Sequence, residues 1–276
     1  MMKPIHDLPP HIGSNLSGVF FDIDDTFTSR GKIESKAFDA LWLARNAGLK
    51  LVPITGRPAG WCDHIARMWP VEGVVGENGA FYFWYDETAG KLKKRFVDPD
   101  EVRREKRSRL ETVQREILAS VPGTALASDQ LYRETDLAID YCEDVPPLPW
   151  EEVERICAIF KRHGATCKIS SIHVNGWFGD YTKLGMTKTF VGERWGLDLD
   201  KTRERFLFCG DSPNDEPMFA YFPYSAGVKN ISRFLERMKH LPAYLADLEG
   251  GQGFAQIVAA ILRHRKKQGR PTQQGI

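Results

Sequence analysis

The chain has 276 residues, 42% of them hydrophobic and 27% charged, and a formal net charge of +1. That size suits one large domain or a domain with an inserted module, and the balanced charge excludes a nucleic-acid or membrane surface as the expected role. There is no run of the ~18 apolar residues a membrane span needs, no apolar secretion core in Met1–Ser17, and no C-x-x-C pair among the five scattered cysteines, so a cytoplasmic protein with free thiols and no zinc site is expected.

Ser17 to Ile23 predicts a buried strand that runs into acid, Val19-Phe20-Phe21-Asp22-Ile23-Asp24-Asp25-Thr26. Ser35 to Asn46 carries apolar residues at 37, 38, 41 and 44, a helical period, with Gly48 beyond it as a cap. Leu49 to Thr55 predicts a second strand, Ala59 to Met68 a helix stopped by Pro70, and Gly73 to Val75 a third strand. Such alternation implies a parallel sheet with right-handed crossovers.

After Gly79 the pattern changes. Phe81 to Tyr85 and Lys91 to Val97 predict a strand pair, Pro99 to Ala119 a long charged helix, and Leu137 to Tyr141 a strand. Trp150 to Arg162 predicts a helix closed by Gly164, and Ala165 to Val174 one further strand. From about Asp180 the first pattern resumes: a helix over Met186 to Trp195, strands over Phe206 to Cys209, Ser225 to Val228 and Tyr244 to Ala246, and a closing helix over Phe254 to Arg263. The expected layout is α/β: a Rossmann-like parallel-sheet core from residues 1–79 and 180–263, an inserted α+β domain at 80–179, and a flexible basic tail at 264–276.

Residues i and i+2 of a strand share a face, so Asp22 and Asp24 should stand together where a buried strand meets its loop. Two carboxylates there repel and are costly to desolvate unless a cation neutralises them or one holds a proton for chemistry. Val52-Pro53-Ile54-Thr55-Gly56-Arg57 ends a second strand, where α/β sheets place ligands; the Thr55 hydroxyl and the following backbone N–H groups could hold a phosphate oxygen, and Arg57 could add a charged contact. Phe208-Cys209-Gly210-Asp211-Ser212-Pro213-Asn214-Asp215 again runs an apolar strand into acid, and oxygens from Asp22 and Asp211 would suit Mg²⁺. Lys183 stands where it could offset negative charge near Asp22. Each segment alone has a plainer reading, since Asp, Thr and Asn are ordinary turn and cap residues.

Together the four segments resemble the signature motifs of the haloacid dehalogenase superfamily of phosphohydrolases. Asp22-Ile23-Asp24-Asp25-Thr26 resembles its D-x-D-x-T motif, Thr55 its second motif, Lys183 its third, and Gly210-Asp211-Ser212-Pro213-Asn214-Asp215 its G-D-x-x-N-D fourth. The inserted module resembles the cap of the Cof-like branch, which includes sucrose-phosphate and mannosyl-phosphoglycerate phosphatases, and Glu77-Asn78-Gly79 has a counterpart there. The resemblance implies that Asp22 is the nucleophile, Asp24 the general acid–base, and that Thr55 and Lys183 hold the phosphoryl group. It implies Mg²⁺ on Asp22, the backbone carbonyl of Asp24, and Asp211, with Asp215 and Asn214 in support. Gly56, Arg57, Asn78, Lys183 and Asn214 are the further expected substrate contacts. The implied substrate is a small phosphorylated metabolite, a sugar phosphate by analogy; a phosphosugar mutase and a non-catalytic binding module are the alternatives.

Two departures stand out. Asp25 occupies a position where the family usually has Gly, and Lys183 is followed by Leu184-Gly185, which leaves Lys188 as a rival for the third motif. In the cap, Arg133, His173 and Asn175 could face the site, and Trp177 reads as core packing, with a cap–core hinge anchor or a binding platform as the alternatives. The charged stretch from Lys91 to Arg109 reads as a solvated face.

Overall fold

The computed structural model of the chain describes residues 2–263 and 265; the tail expected at 264–276 otherwise lies outside the described residues. In chain order the elements are β1 (Lys3–Pro4), α1 (Pro10–Asn15), β2 (Gly18–Phe21), α2 (Ser35–Asn46), β3 (Lys50–Pro53), α3 (Ala59–Met68), β4 (Val74–Gly76), β5 (Phe81–Asp86) and β6 (Lys91–Phe96). There follow α4 (Asp100–Ser120), β7 (Ala125–Leu126), β8 (Leu137–Asp140), α5 (Trp150–Arg162), β9 (Thr166–Ile169) and β10 (His173–Trp177). The chain closes with α6 (Lys183–Trp195), α7 (Leu199–Thr202), β11 (Phe206–Gly210), α8 (Glu216–Tyr221), β12 (Ser225–Gly227), β13 (Tyr244–Leu245) and α9 (Gly250–Leu262).

The main sheet runs in the order β1-β13-β12-β11-β2-β3, with every pair parallel. Its strands β2, β11 and β12 are buried on both faces, and strand alternation sorts the side chains. Val19, Phe21, Leu51, Leu207 and Cys209 pack with α2 and α9, whereas Phe20, Val52, Phe206 and Phe208 pack with Phe190 of α6 and Met218 of α8 on the other face. β2 lies between β3 and β11, so the ends of these three neighbours carry the first, second and fourth acidic or hydroxyl segments into one crevice.

The cap is a four-stranded antiparallel sheet, β7-β8-β10-β9, with its own core. Leu137, Ile139 and Val174 face Val113 and Ile117 of α4 and Ile156 and Phe160 of α5. The alternate residues, Asp140, His173 and Asn175, lie on the opposite face of this sheet and are also buried. No helix among the described residues is long and apolar enough to cross a membrane.

Several elements differ from the sequence expectation. The hairpin β5–β6, expected to open the cap, pairs with β4 and packs against α3; a bridge between Ile54 and Val75 joins β4 to the end of β3. The stretch Ala165 to Val174 is two antiparallel strands, because Ser170 turns the chain: its Oγ accepts N–H bonds from Ile172 at 3.4 Å and His173 at 3.0 Å. α6 starts at Lys183, three residues earlier than its apolar period, because the Thr182 hydroxyl accepts the Gly185 N–H at 3.0 Å. Ahead of β2, Ile5, Leu8, Ile12 and Leu16 are buried at near-helical spacing, and β1 pairs with β13. Trp177 is core packing: it is 1% exposed and stacks on Tyr181 at 5.6 Å.

Candidate active site

Asp22 is the first residue beyond β2, and its N–H donates to the Cys209 carbonyl of β11 at 2.9 Å. That bond ties the ends of the two central strands and brings Asp22 beside Asp211, the first residue beyond β11. Carboxylate oxygens of Asp22, Asp211 and Asp215 lie within 4.8 Å of one another, all three buried. Asp215 reaches this cluster by folding back, so that its Oδ2 accepts the Asp211 N–H at 3.1 Å. Gly210 makes the fold-back possible: a Cβ there would stand 2.4 Å from Asp215 Oδ2.

One cation serves the three acids. Lys183, in the first turn of α6, donates from Nζ to Asp22 Oδ1 at 2.7 Å and to Asp215 Oδ1 at 2.8 Å. Lys188 is elsewhere, paired on the surface with Asp200 at 2.7 Å. Burial would depress the Lys183 ammonium, but Asp215 and Asp22 outweigh it and hold the pKa above the ordinary value. Burial also pushes Asp22 up to about 8 despite Lys183, and Asp211 well above the usual carboxylate range, with Asp22 and Asp215 adding to it. Three carboxylates with one lysine leave a deficit of positive charge, and hard oxygen donors at this spacing fit Mg²⁺.

Sequence reasoning missed Asn230, which holds Asp211 in place. Its Nδ2 donates to Asp211 Oδ2 at 3.0 Å and to the Asp25 carbonyl at 2.9 Å, while Thr26 Oγ1 donates to the other Asp211 oxygen at 3.0 Å. The signal was its place just beyond β12, another parallel strand of the sheet. Asp25 has φ +55°, the left-handed region that favours glycine and that Asp tolerates better than most residues.

Asp24 lies outside the three-acid group. Its carboxylate faces Arg57, whose Nε donates at 2.9 and 3.0 Å to its two oxygens. Arg57, expected as a substrate contact, spends its other nitrogens too: Nη1 on Asp129 at 3.1 Å and Nη2 on Glu143 at 2.8 Å, both in the cap. Thr55 is fully buried, and its Oγ1 accepts the Arg57 N–H at 3.0 Å. Gly56 offers its carbonyl to Arg133 Nη1 at 2.8 Å. Asn78, also left-handed at φ 56°, reaches Asp136 of the cap at 3.5 Å, and Asn214 accepts from Ser212 Oγ at 2.8 Å within its own turn. Thus the structure brings Asp22, Asp211, Asp215 and Lys183 together, and turns Gly56, Arg57 and Asn78 toward the cap.

The core–cap junction is polar and rich in buried charge. Arg133 binds Asp129 and Asp136, both at 3.0 Å, and Asn175 donates to Asp136 at 3.0 Å. Glu77, with no exposure, accepts N–H bonds from Ala59 at 3.0 Å, Glu134 at 2.8 Å and Thr135 at 2.6 Å, and a further one from the Thr135 hydroxyl. Beside it, a cleft of about 1040 Å³ is lined by Asp24, Asp25 and Arg57 from the core and by Tyr141, Glu143 and Trp150 from the cap.

Residues 19–112 match the family model of the haloacid dehalogenase-like hydrolases. No curated protein matches the sequence significantly. Among solved structures, the chain is similar to the C-terminal domain of trehalose-6-phosphate phosphatase of C. albicans, with TM-score 0.68, 15% identity, and 94% of this chain and 97% of that one covered. It is also similar to a protein of Thermoplasma acidophilum (TM-score 0.65, 20% identity, 89% and 98% covered). A third is the sucrose-phosphatase of Synechocystis sp. PCC6803, solved with sucrose and phosphate (TM-score 0.61, 14% identity, 90% and 98% covered). At these identities the likeness is one of fold, and it spans the core and the cap. Residues 19–112 are thus similar to the haloacid dehalogenase-like hydrolases, and the whole chain shares its fold with these solved structures.

Proposed function

We propose that the chain is a Mg²⁺-dependent phosphatase of a small phosphorylated metabolite, a sugar phosphate being the best-supported class. The observation that carries this reading is the clustering of Asp22, Asp211 and Asp215 beyond the ends of neighbouring parallel strands, with Lys183 bound to Asp22 and Asp215. Solved relatives in fold include a sucrose-phosphatase and a trehalose-6-phosphate phosphatase, which supports the choice of substrate class.

Asp22, Asp211 and Asp215 are the side chains that would hold Mg²⁺, with the Asp24 carbonyl as the further ligand the motif implies. Bound there, the cation would offset phosphate charge and keep the carboxylates ionised. Asp22 Oδ1 is fixed by Lys183, and its other oxygen accepts no hydrogen bond among the described residues, so a lone pair is free to attack phosphorus. As the bond from phosphorus to the ester oxygen breaks, Asp24 gives that oxygen a proton. Asp24 then takes a proton from water, whose oxygen attacks the phosphoryl group and frees Asp22 and inorganic phosphate. Lys183 and the turn at Thr55 hold the transferring group, and the cap limits access of bulk water.

The test is phosphate release from a panel of phosphorylated sugars and small metabolites, with and without Mg²⁺. Turnover that needs Mg²⁺ and falls by about 10³-fold or more in Asp22→Asn is expected. Release that Asp22→Asn leaves intact would sink the nucleophile assignment.

A further inference from the structure

Among the described residues, Arg57 is the one side chain that touches both Asp24 and the cap's acids. Its guanidinium is 4% exposed and lies over the Trp61 ring at 4.4 Å, so stacking holds its plane as well as its charge. One edge grips Asp24: Nη2 is 2.8 Å from Asp24 Oδ1, alongside the two contacts from Nε. The other edge grips Asp129 and Glu143.

The cap side of this link is built rigidly. Asp140, at the end of β8, turns its carboxylate back on the loop that follows and accepts the N–H groups of Cys142 at 2.9 Å, Glu143 at 2.8 Å and Asp144 at 2.8 Å. That arrangement fixes where Glu143 stands. Its second oxygen lies 2.9 Å from His173 Nε2, an ion-pair distance without the in-line geometry of a hydrogen bond. Partial burial would raise the Glu143 carboxyl, but His173 and Arg57 overcome it and pull it down to about 2, so it is ionised at any working pH. Asp129 is held in turn by Arg133, which reaches the Gly56 carbonyl next to Arg57. A chain of charged contacts thus runs from the cap sheet, through Glu143 and Arg57, to Asp24.

We propose that Arg57 and Glu143 are positioning residues: they hold the Asp24 carboxyl group where its acid form gives a proton to the leaving oxygen and the resulting carboxylate takes one back from water, and they do so only when the cap stands over the core. This rests on the phosphatase reading, in which Asp24 carries that proton. With the cap displaced, Arg57 would keep one of its three carboxylate partners, and its guanidinium would no longer be clamped from both edges. A guanidinium fixed by several carboxylates restrains their planes far better than one held singly. Binding of substrate under the cap would therefore be coupled to the readiness of the acid.

General-acid help matters most for a poor leaving group, so the test compares two esters. Phosphate release is measured from a sugar phosphate, whose alcohol needs a proton, and from p-nitrophenyl phosphate, whose leaving group needs none. Glu143→Gln is the principal variant, since its side chain is 25% exposed and the amide keeps its size; Arg57→Lys is the conservative partner. Both should lower kcat on the sugar phosphate by about tenfold or more, with KM nearly unchanged and little effect on the aryl ester. Arg57→Lys, which keeps the charge, should retain more activity than Arg57→Met. Equal losses on both esters, or a raised KM with kcat intact, would overturn the positioning role and leave the phosphatase reading standing. A wild-type chain that releases phosphate from neither ester, with Mg²⁺ present, would overturn both.

Discussion

Two groups of buried carboxylates adjoin each other in this molecule, and they are satisfied in opposite ways. Around Asp22, Asp211 and Asp215 there is one ammonium, and part of the oxygen valence has no protein partner. At the core–cap junction, Arg57, Arg133 and a series of backbone N–H groups fill the acceptors of Asp24, Asp129, Asp136, Asp140, Glu77 and Glu143. An acid cluster left short of positive charge is a place for a ligand, whereas one that is saturated holds the parts of the protein in place. Burial alone does not tell the two apart; the count of donors does.

That distinction can be broken most directly at Lys183. Lys183→Met removes the one cation that binds the first group among the described residues, and turnover should fall by about 10²–10³-fold. Without Mg²⁺ the folded state should lose ~3–5 kcal/mol in denaturant unfolding. Added Mg²⁺ should then raise the Tm of the variant more than that of the wild type, because the ion replaces the missing charge. Equal shifts in both proteins would mean that the three acids do not form a metal centre.

Glu77 sharpens the comparison from the other side. Burial first, then Asp136, pushes its carboxyl from 4.5 up to about 7. Between those values the folded chain keeps a proton that the unfolded chain has released. Its stabilising contribution is therefore full below about pH 4.5 and is lost as pH rises through about 7. Glu77→Gln cannot titrate and places an amide against N–H donors, so it should cost ~1–3 kcal/mol. The stability gap between wild type and variant should narrow as pH rises through that window. A gap that stays constant with pH would show that the carboxylate is ionised throughout.

The smallest effect is expected at Asp25. Glycine adopts a φ of +55° without strain, so Asp25→Gly should stabilise the chain by up to ~1 kcal/mol. A loss of stability instead would show that the carboxylate's contacts outweigh its backbone strain.

The cluster of Asp22, Asp211 and Asp215 was legible in the sequence because each member follows an apolar strand within one short segment, and the parallel sheet puts those segment ends together. Helix bounds such as those of α2, α3 and α5 were equally local, set by apolar spacing and by Gly or Pro beyond the end. The junction was not legible. Arg57 meets Glu143 across 86 residues and Asp129 across 72, and neither acid sits in a pattern that separates it from a surface residue. Asn230 was hidden for the same reason, since its contact with Asp211 comes from the placing of a loop. The β5–β6 hairpin was misplaced because pairing of β5 with β4, which no local signal announces, draws it into the core.

The order of strands also governs how the site comes into being. Thr26 and Asp211 are hydrogen-bonded across 185 residues, and the cap lies between them in the chain. Closing a loop of that length is slow when the intervening chain is unfolded, and contacts so distant in sequence form late. The cap has its own core, so it can fold while the loop is still open and bring the two ends of the insertion close together. During synthesis, Asp22 emerges early and waits in water; its desolvation happens only when β11 docks beside β2, at the step that also brings in Asp211 and Asp215. The burial of these acids is thereby tied to the docking of β11 beside β2.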